Sequence, residues 1–193
     1  MAITRDADKV MHGICNIYTG DPDEDMPDEE DIDYNGDWTA GGLSWAGVGY
    51  TEDGVATEFT RDTDDVKASE SITPLDVLVT GANYNLAFVV MEHTLEMMKL
   101  AHGGGTITTT APGAGQIGKD VFTMSADLEM MSVAFEVQND LGHWDRMYVP
   151  RVKSVGTVGT PFALNKVRVF PVELRAMCPI EDIEYTRKTD DES

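Results

Sequence analysis

Residues 45–105 contain two long runs of strand-type sequence, joined by a short polar connector and followed at once by one short helix. The runs 54–68 and 75–90 show the alternation of side chains that a β-strand produces. Thr94 is suited to cap the start of a helix over 94–102, and Gly103 is suited to end it in the left-handed conformation. Because an isolated helix of about two turns is marginal in water, this one must pack against sheets.

Shorter strands are predicted before and after this block, at 13–19, 121–128, 132–138, 145–154 and 165–177. Short strands at near-regular spacing with a single helix are typical of an antiparallel sandwich or barrel. The predicted fold class is therefore mainly β: an antiparallel β-sandwich or barrel with one short α-helix. A chain of 193 residues is expected to form a single domain over 1–193.

Three segments are predicted to lie outside the regular structure. Ten acidic residues and no basic ones occur between Asp21 and Asp37, so 21–40 is expected to be an exposed acidic arm or loop. The glycine- and threonine-rich segment 103–119 is predicted to be a flexible loop. The polar tail 186–193 is predicted to be disordered.

The charge balance limits the partners that the chain can bind. Fourteen Lys and Arg residues stand against 35 Asp and Glu residues, for a formal net charge of −21. Such a chain does not grip nucleic acid by its phosphates, although it could enclose DNA as a repelling wall. An acidic surface that only keeps the chain soluble is the alternative. The sequence shows neither a signal peptide nor an apolar run of the ~20 residues that cross a bilayer, so synthesis in the cytoplasm and no membrane partner are expected.

Candidate sites for catalysis or metal binding are weak. The run Gly113 to Asp120 nearly spells a phosphate-binding loop, but Asp120 replaces the hydroxyl residue and strand-type sequence follows where a helix is needed. Asp31, Asp33 and Asn35 match the start of a calcium loop that lacks its final glutamate, so at most weak calcium binding is expected. Cys15 and Cys178 suggest neither a disulfide framework nor a zinc site. The four histidines are scattered, and we expect no enzymatic activity and no cofactor.

The block 45–105 resembles the core of the phage tail tube (major tail) proteins. In that family a G-Y-T-x-x-G-V opening, an S-x-x-P-x-D-V-x-V-T-G strand and a T-L-E-x-x-x-L-A-x-G-G-G helix follow one another. The matching residues are Gly49, Tyr50, Thr51, Gly54, Val55, Ser71, Pro74, Asp76, Val77, Val79, Thr80, Gly81, Thr94, Leu95, Glu96, Leu100, Ala101, Gly103, Gly104 and Gly105. They lie within about a third of the chain.

The resemblance implies a structural virion protein that self-assembles into stacked, usually hexameric rings, forming the hollow tail tube through which DNA is ejected. The projecting strands over 54–90 would line up around the ring as an inner β-barrel. Its partners would be further copies of itself and the tape measure, tail-tip and tail terminator proteins of a long-tailed bacteriophage (a siphovirus). DNA would pass without binding, and the protein, made in the host bacterial cytoplasm, would reside in the virion tail.

Alternation suggests which residues would face the lumen. Glu58, Thr60, Asp62 and Asp64 share one face of the first long run, and Asn83 and Asn85 are fainter candidates on the second. The apolar face of the second run is predicted to carry Leu78 together with Ala82, Tyr84, Leu86, Phe88 and Val90. Exposure of the polar residues on the outer surface of an assembly is the alternative.

Basic residues are concentrated near the C-terminus. They are Arg146, Arg151, Lys153, Lys166, Arg168 and Arg175, with Glu173 as the only acidic residue between 146 and 175. One interpretation is an inter-subunit surface complementary to the acidic arm of another copy. The other is charged edge-strand residues that discourage aggregation.

Two rival functions remain open. One is another tube or tip component of a phage or contractile injection machine on the same fold. The other is a monomeric β-barrel that binds a small ligand, although a polar strand face does not favour the closed apolar interior that such a barrel needs.

Overall fold

The computed structural model describes residues 15–27, 38–39, 42–67, 70, 73–138, 144–159 and 168–187. Within these ranges the chain forms mainly β-structure with one α-helix. The strands are β1 (Cys15–Gly20), β2 (Ala46–Gly47), β3 (Thr51–Val66), β4 (Asp76–Val90), β5 (Gly105–Thr110), β6 (Lys119–Met124), β7 (Met131–Gln138), β8 (Trp144–Ser154), β9 (Phe170–Ala176) and β10 (Glu184–Arg187). The helix is α1 (Leu95–His102), and a short 3₁₀ turn spans Ile180–Asp182.

All pairings between these strands are antiparallel. The larger sheet has the order β2-β1-β7-β8-β9-β4-β3, with β10 paired to β8, and β5 pairs with β6 in a separate two-stranded sheet. Side chains from β1, β4, β7, β8, β9 and α1 meet in one buried apolar cluster, which includes Leu86, Val133, Val149 and Phe170. The sheet therefore curves around its core, and the predicted mainly-β, antiparallel sandwich class with one helix is confirmed.

Helix α1 begins and ends at the residues that the sequence indicated. The Thr94 hydroxyl accepts a hydrogen bond from the Met97 amide at 3.2 Å. Gly103 has a φ of 75°, and its amide donates to the Leu100 carbonyl. A residue with a side chain disfavours that left-handed backbone, so glycine is the residue that ends the helix here at lowest cost. Leu100 and Ala101 are buried and attach the helix to the main core.

The prediction that 103–119 is a flexible loop is wrong for residues 105–110. Residues 105–110 form β5 and pair in register with β6, from Gly105 opposite Met124 to Thr110 opposite Lys119. The glycines suggested a break, but they serve the helix end and the turn, whereas β-branched threonine favours a strand. This segment is consequently a β-hairpin.

The hairpin of β3 and β4 contains an irregularity that alternation alone does not reveal. Asp62 lies opposite Gly81, but the next pair is Thr63 with Val79, so Thr80 is an extra residue in β4. The bulge shifts the alternation by one residue. Leu78 therefore lies opposite Asp64 on the polar side, and its predicted place beside Ala82 is wrong; Val77 and Val79 continue the other face instead.

The remaining segment predictions have mixed outcomes. Part of the acidic arm, 28–37, and the tail residues 188–193 lie outside the described residues. The predicted disordered tail begins too early, because Thr186 and Arg187 belong to β10, opposite Arg146 and Asp145 of β8. Within the described ranges, no helix combines the length and the apolar character that crossing a membrane requires.

Candidate assembly surfaces

The six polar residues predicted to face a lumen come together on the β3–β4 hairpin. Glu58 lies opposite Asn85 and Thr60 opposite Asn83, so these four side chains share one face. Asp62 and Asp64 follow on the same face of β3, and both are exposed. The structure thus brings three carboxylates from β3 and two amides from β4 onto one face, with Leu78 beside Asp64 at the outer end.

The opposite face of this hairpin joins the protein core at one end only. Leu86 and Phe88 are buried there, and the Tyr84 hydroxyl lies 3.2 Å from the Met147 sulfur. Farther out, the Arg61 guanidinium lies over the Phe59 ring at 4.4 Å, and Val79 is 60% exposed. The hairpin therefore extends beyond the core, and its polar surface points away from it.

The outer half of the hairpin has open backbone edges. Strand β9 pairs with β4 only along residues 85–90. Among the described residues, 76–84 of β4 pair with β3 alone, and the other edge of β3 pairs with no strand. Unpaired amide and carbonyl groups along both edges make this half a template for pairing with another chain.

The predicted basic surface divides into residues with different roles. Arg146 is 1% exposed, so its place on an inter-subunit surface is wrong. Its Nε and Nη2 donate to one Glu136 carboxylate oxygen at 3.0 and 2.7 Å. The indole rings of Trp38 and Trp144 lie 4.8 and 4.6 Å from its guanidinium. Arginine suits this position because its planar cation stacks on aromatic faces while it pairs with a carboxylate.

The other basic residues lie nearer the surface. Arg151 is close enough for an ion pair with Asp23 of the same chain, with Nε and Oδ1 3.1 Å apart. Lys153 and Arg175 face each other across β8 and β9, Arg168 is exposed, and Lys166 lies outside the described residues. Of the predicted surface, Arg168 and Arg175 are therefore exposed and Lys153 is half-buried.

The described part of the acidic segment, 21–27, packs against β8 of its own chain instead of projecting as an arm. Its backbone carbonyls accept hydrogen bonds from side chains: Glu24 from the Tyr148 hydroxyl and Asp25 from the Trp45 indole, both at 2.8 Å, and Pro27 from Arg146 at 3.3 Å. Burial, and then the carboxylates of Asp23 and Asp25, raise the pKa of Tyr148 to about 12, which keeps its hydroxyl a donor. The expected loop is thus held through its backbone carbonyls, and the Glu24 carboxylate adds hydrogen bonds from the Ser44 amide and hydroxyl at 3.1 and 2.7 Å.

The sequence analysis did not predict these hydrogen bonds to the backbone of 21–27. The donors are distant in the chain from the carbonyls that they bind. The aromatic residues Trp45 and Tyr148 were the one feature of the sequence that could have indicated them. Trp45, Trp38, Tyr18 and Tyr148 form a second buried cluster. Buried Trp and Tyr side chains usually find hydrogen-bond acceptors, and here the acidic segment supplies them.

A second polar cluster joins β10 to β8. Arg187 donates to both Asp145 oxygens, at 2.7 and 2.8 Å, and the Tyr185 hydroxyl also donates to Asp145. The hydrogen bond from Arg187 is the main cause that lowers the pKa of the Asp145 carboxyl; partial burial opposes it, and Tyr185 adds to the lowering. The ionised carboxylate therefore holds the last described strand in place.

We expect acid to weaken this attachment. Because the folded-state pKa of Asp145 lies below the unfolded value of about 3.9, its contribution is complete above that value and disappears as pH falls through the folded pKa. The urea midpoint of the wild type should therefore exceed that of Asp145→Asn at pH 6, and the difference should shrink towards pH 3. A difference that stays constant over this range would contradict the role of the carboxylate.

The weak candidate sites receive no support as binding sites. Gly113 and Gln116 close a β-turn, and Lys119 and Asp120 begin β6, so the strand–loop–helix arrangement of a phosphate-binding loop is not formed. Asp31, Asp33 and Asn35 lie outside the described residues, and the described residues contain no group of three or more potential metal-ligating side chains. Burial raises the pKa of the Cys15 thiol to about 11, so the thiol is protonated at neutral pH.

Comparison with known proteins finds similarity in structure but none in sequence. No protein-family model and no curated protein sequence matches the chain. In structure, the chain is similar to one in the six-fold symmetrised cryo-EM structure of the anti-feeding prophage baseplate, with 11% identity and a TM-score of 0.46. The likeness covers 96% of this chain and 97% of the other. At this identity and TM-score, the likeness does not establish a family or an activity.

Proposed function

We propose that this protein is a structural, non-enzymatic subunit that assembles into rings, which stack into a hollow tube of a phage tail. One observation carries the proposal. The outer half of the β3–β4 hairpin extends beyond the core with both backbone edges open among the described residues. Long open edges favour aggregation unless another strand covers them, and closure into a barrel by neighbouring copies removes them altogether.

The geometry of the hairpin supports this use of a second copy. The free edge of β4 spans 76–84, while β3 is available along Thr51–Val66. In a ring, β3 of one subunit would pair with the outer half of β4 in the next, and repetition would close a barrel. The sequence resemblance to tail tube proteins independently favours this arrangement, with a hexamer as the expected ring.

The polar face of the hairpin fits the wall of a channel for DNA. Glu58, Asp62 and Asp64 are exposed on one surface, away from the core. A negative wall repels phosphates, so the polyanion would slide through without binding. Asn83 and Asn85 add neutral polar groups opposite the acidic strand. In this proposal the protein resides in the virion tail beside tape measure, tail-tip and terminator proteins.

Negative-stain electron microscopy of the purified, concentrated protein at moderate salt tests the proposal. Hollow tubes are the expected result, and isolated rings that never stack would favour the alternative of a tail-tip component. A single monomeric species at all concentrations, also after addition of a tail-tip complex as initiator, would overturn it.

A further inference from the structure

The β5–β6 hairpin presents an exposed apolar side chain, Ile117, next to a turn that is closed by backbone hydrogen bonds. Gly113 and Gln116 exchange backbone hydrogen bonds at 3.1 and 3.0 Å across the turn. A Cβ at position 118 would lie 2.8 Å from Pro112 Cδ, so Gly118 lets the two sides of the turn pack closely. Ile117 stands beside this contact and is 88% exposed.

The base of the hairpin is fastened to the helix. Glu129 accepts a hydrogen bond from the Gly105 amide at 3.1 Å and forms an ion pair with Lys99 at 2.8 Å. The rings of His102 and Phe122 also meet, with centroids 5.9 Å apart. A fixed support lowers the entropy lost when an exposed side chain docks, so Ile117 is preorganised as an anchor for a partner.

A groove of about 640 Å³ lies elsewhere on the surface, between β1 and the start of β3. Its lining includes the buried residues Ile17 and Tyr18 of β1 and the acidic residues Asp53 and Glu92. Tyr50, which also lines it, is 78% exposed. The groove therefore offers an exposed aromatic side chain together with negative charge.

The tip of the β5–β6 hairpin and the groove are complementary in apolar character and in charge. Ile117 supplies an apolar side chain, and Lys119, two residues later, supplies one of only 14 Lys and Arg residues in a chain of net charge −21. Asp120 projects to the opposite face of β6 by alternation. Complementary charge favours one docking surface over others.

We propose that the tip of the β5–β6 hairpin, with Ile117 and Lys119, inserts into the groove between β1 and β3 of a second copy. The proposal rests on the proposed function and names a contact that stacks one ring on the next. Because tip and groove are different parts of the surface, the contact is head-to-tail. Such a contact does not close a dimer and can repeat from one ring to the next, as a growing tube requires.

Disulfide trapping tests the contact. In the double variant Ile117→Cys/Tyr50→Cys, mild oxidation of concentrated protein should give a ladder of covalently linked copies on non-reducing gels. The matched control Ile117→Cys/Tyr185→Cys carries its second cysteine at another exposed aromatic position, 58% exposed on β10, and should give no such ladder. Both variants are made on a Cys15→Ser/Cys178→Ser background, because Cys15 is a free cysteine that itself lines the groove and could link to the new cysteine at the hairpin tip in the control as well.

The outcomes separate this contact from the proposed function. Tubes without the specific ladder, or equal ladders in both variants, overturn the contact and leave the tube proposal standing. Absence of tubes counts against the tube proposal, while the ladder still decides the contact.

A surface variant gives an independent measurement. Ile117→Asp should raise the protein concentration needed for assembly by about tenfold or more, since it removes the apolar anchor and places a carboxylate against the acidic groove. Thr108→Asp, at an exposed position on the same hairpin, should not. Equal effects of the two substitutions would overturn the assigned anchor.

Discussion

Replacement of residues 59–84 by an Asn-Gly turn is expected to abolish tube assembly and leave the domain folded. The deletion removes the part of β4 that β9 does not cover, together with its partner residues in β3. Glu58 and Asn85 are already opposite each other, so a short turn can join them. The buried residues Leu86 and Phe88 remain in place, and the core should survive.

The control shortens the same hairpin without removing its edges. Replacing residues 67–75 by Asn-Gly joins Val66 to Asp76, which are also paired, and keeps both strands at full length. This variant should still form tubes by electron microscopy. Circular dichroism and the urea midpoint establish folding of both proteins. Tubes formed by the protein without 59–84 would contradict the role of the hairpin edges.

Substitution of Arg146 by Met is expected to lower the free energy of unfolding by about 3–5 kcal/mol, because it leaves a buried carboxylate without its cation. Glu136 and Arg146 both have side chains that are 0% exposed, and their closest atoms lie 2.7 Å apart. Arg146 also donates to the Pro27 carbonyl at 3.3 Å. The variant should therefore release the clamped acidic segment as well as destabilise the sheet.

The double variant Arg146→Met/Glu136→Met separates the loss of the ion pair from the cost of a buried carboxylate that has lost the arginine cation. Replacing both partners of a buried pair by apolar groups of similar volume is often nearly neutral, so the double variant should be clearly more stable than the single one. Urea unfolding followed by tryptophan fluorescence measures both, since Trp38 and Trp144 flank the guanidinium. Equal losses in the two variants would contradict this account.

Sequence by itself determined those features that depend on neighbours in the chain. Helix α1 begins after Thr94 and ends at Gly103, as predicted, because capping uses atoms within a few residues. The polar face of Glu58, Thr60 and Asp62 follows from strand alternation, which is equally local. The mainly-β, antiparallel class with one helix follows from the number and spacing of such runs.

The tertiary structure decided what depends on distant contacts. Arg146 looks like a surface cation in sequence, and its burial is explained by the carboxylate of Glu136 on β7 and the indole of the distant Trp38, together with that of Trp144 on the same strand. The bulge at Thr80 depends on the register between two strands, and a shift of one residue moves Leu78 to the other face. The acidic segment is held by donors on β8 more than a hundred residues away, such as Tyr148. Local sequence determines conformational preference, but the partner of a buried polar group is chosen only when the whole chain packs.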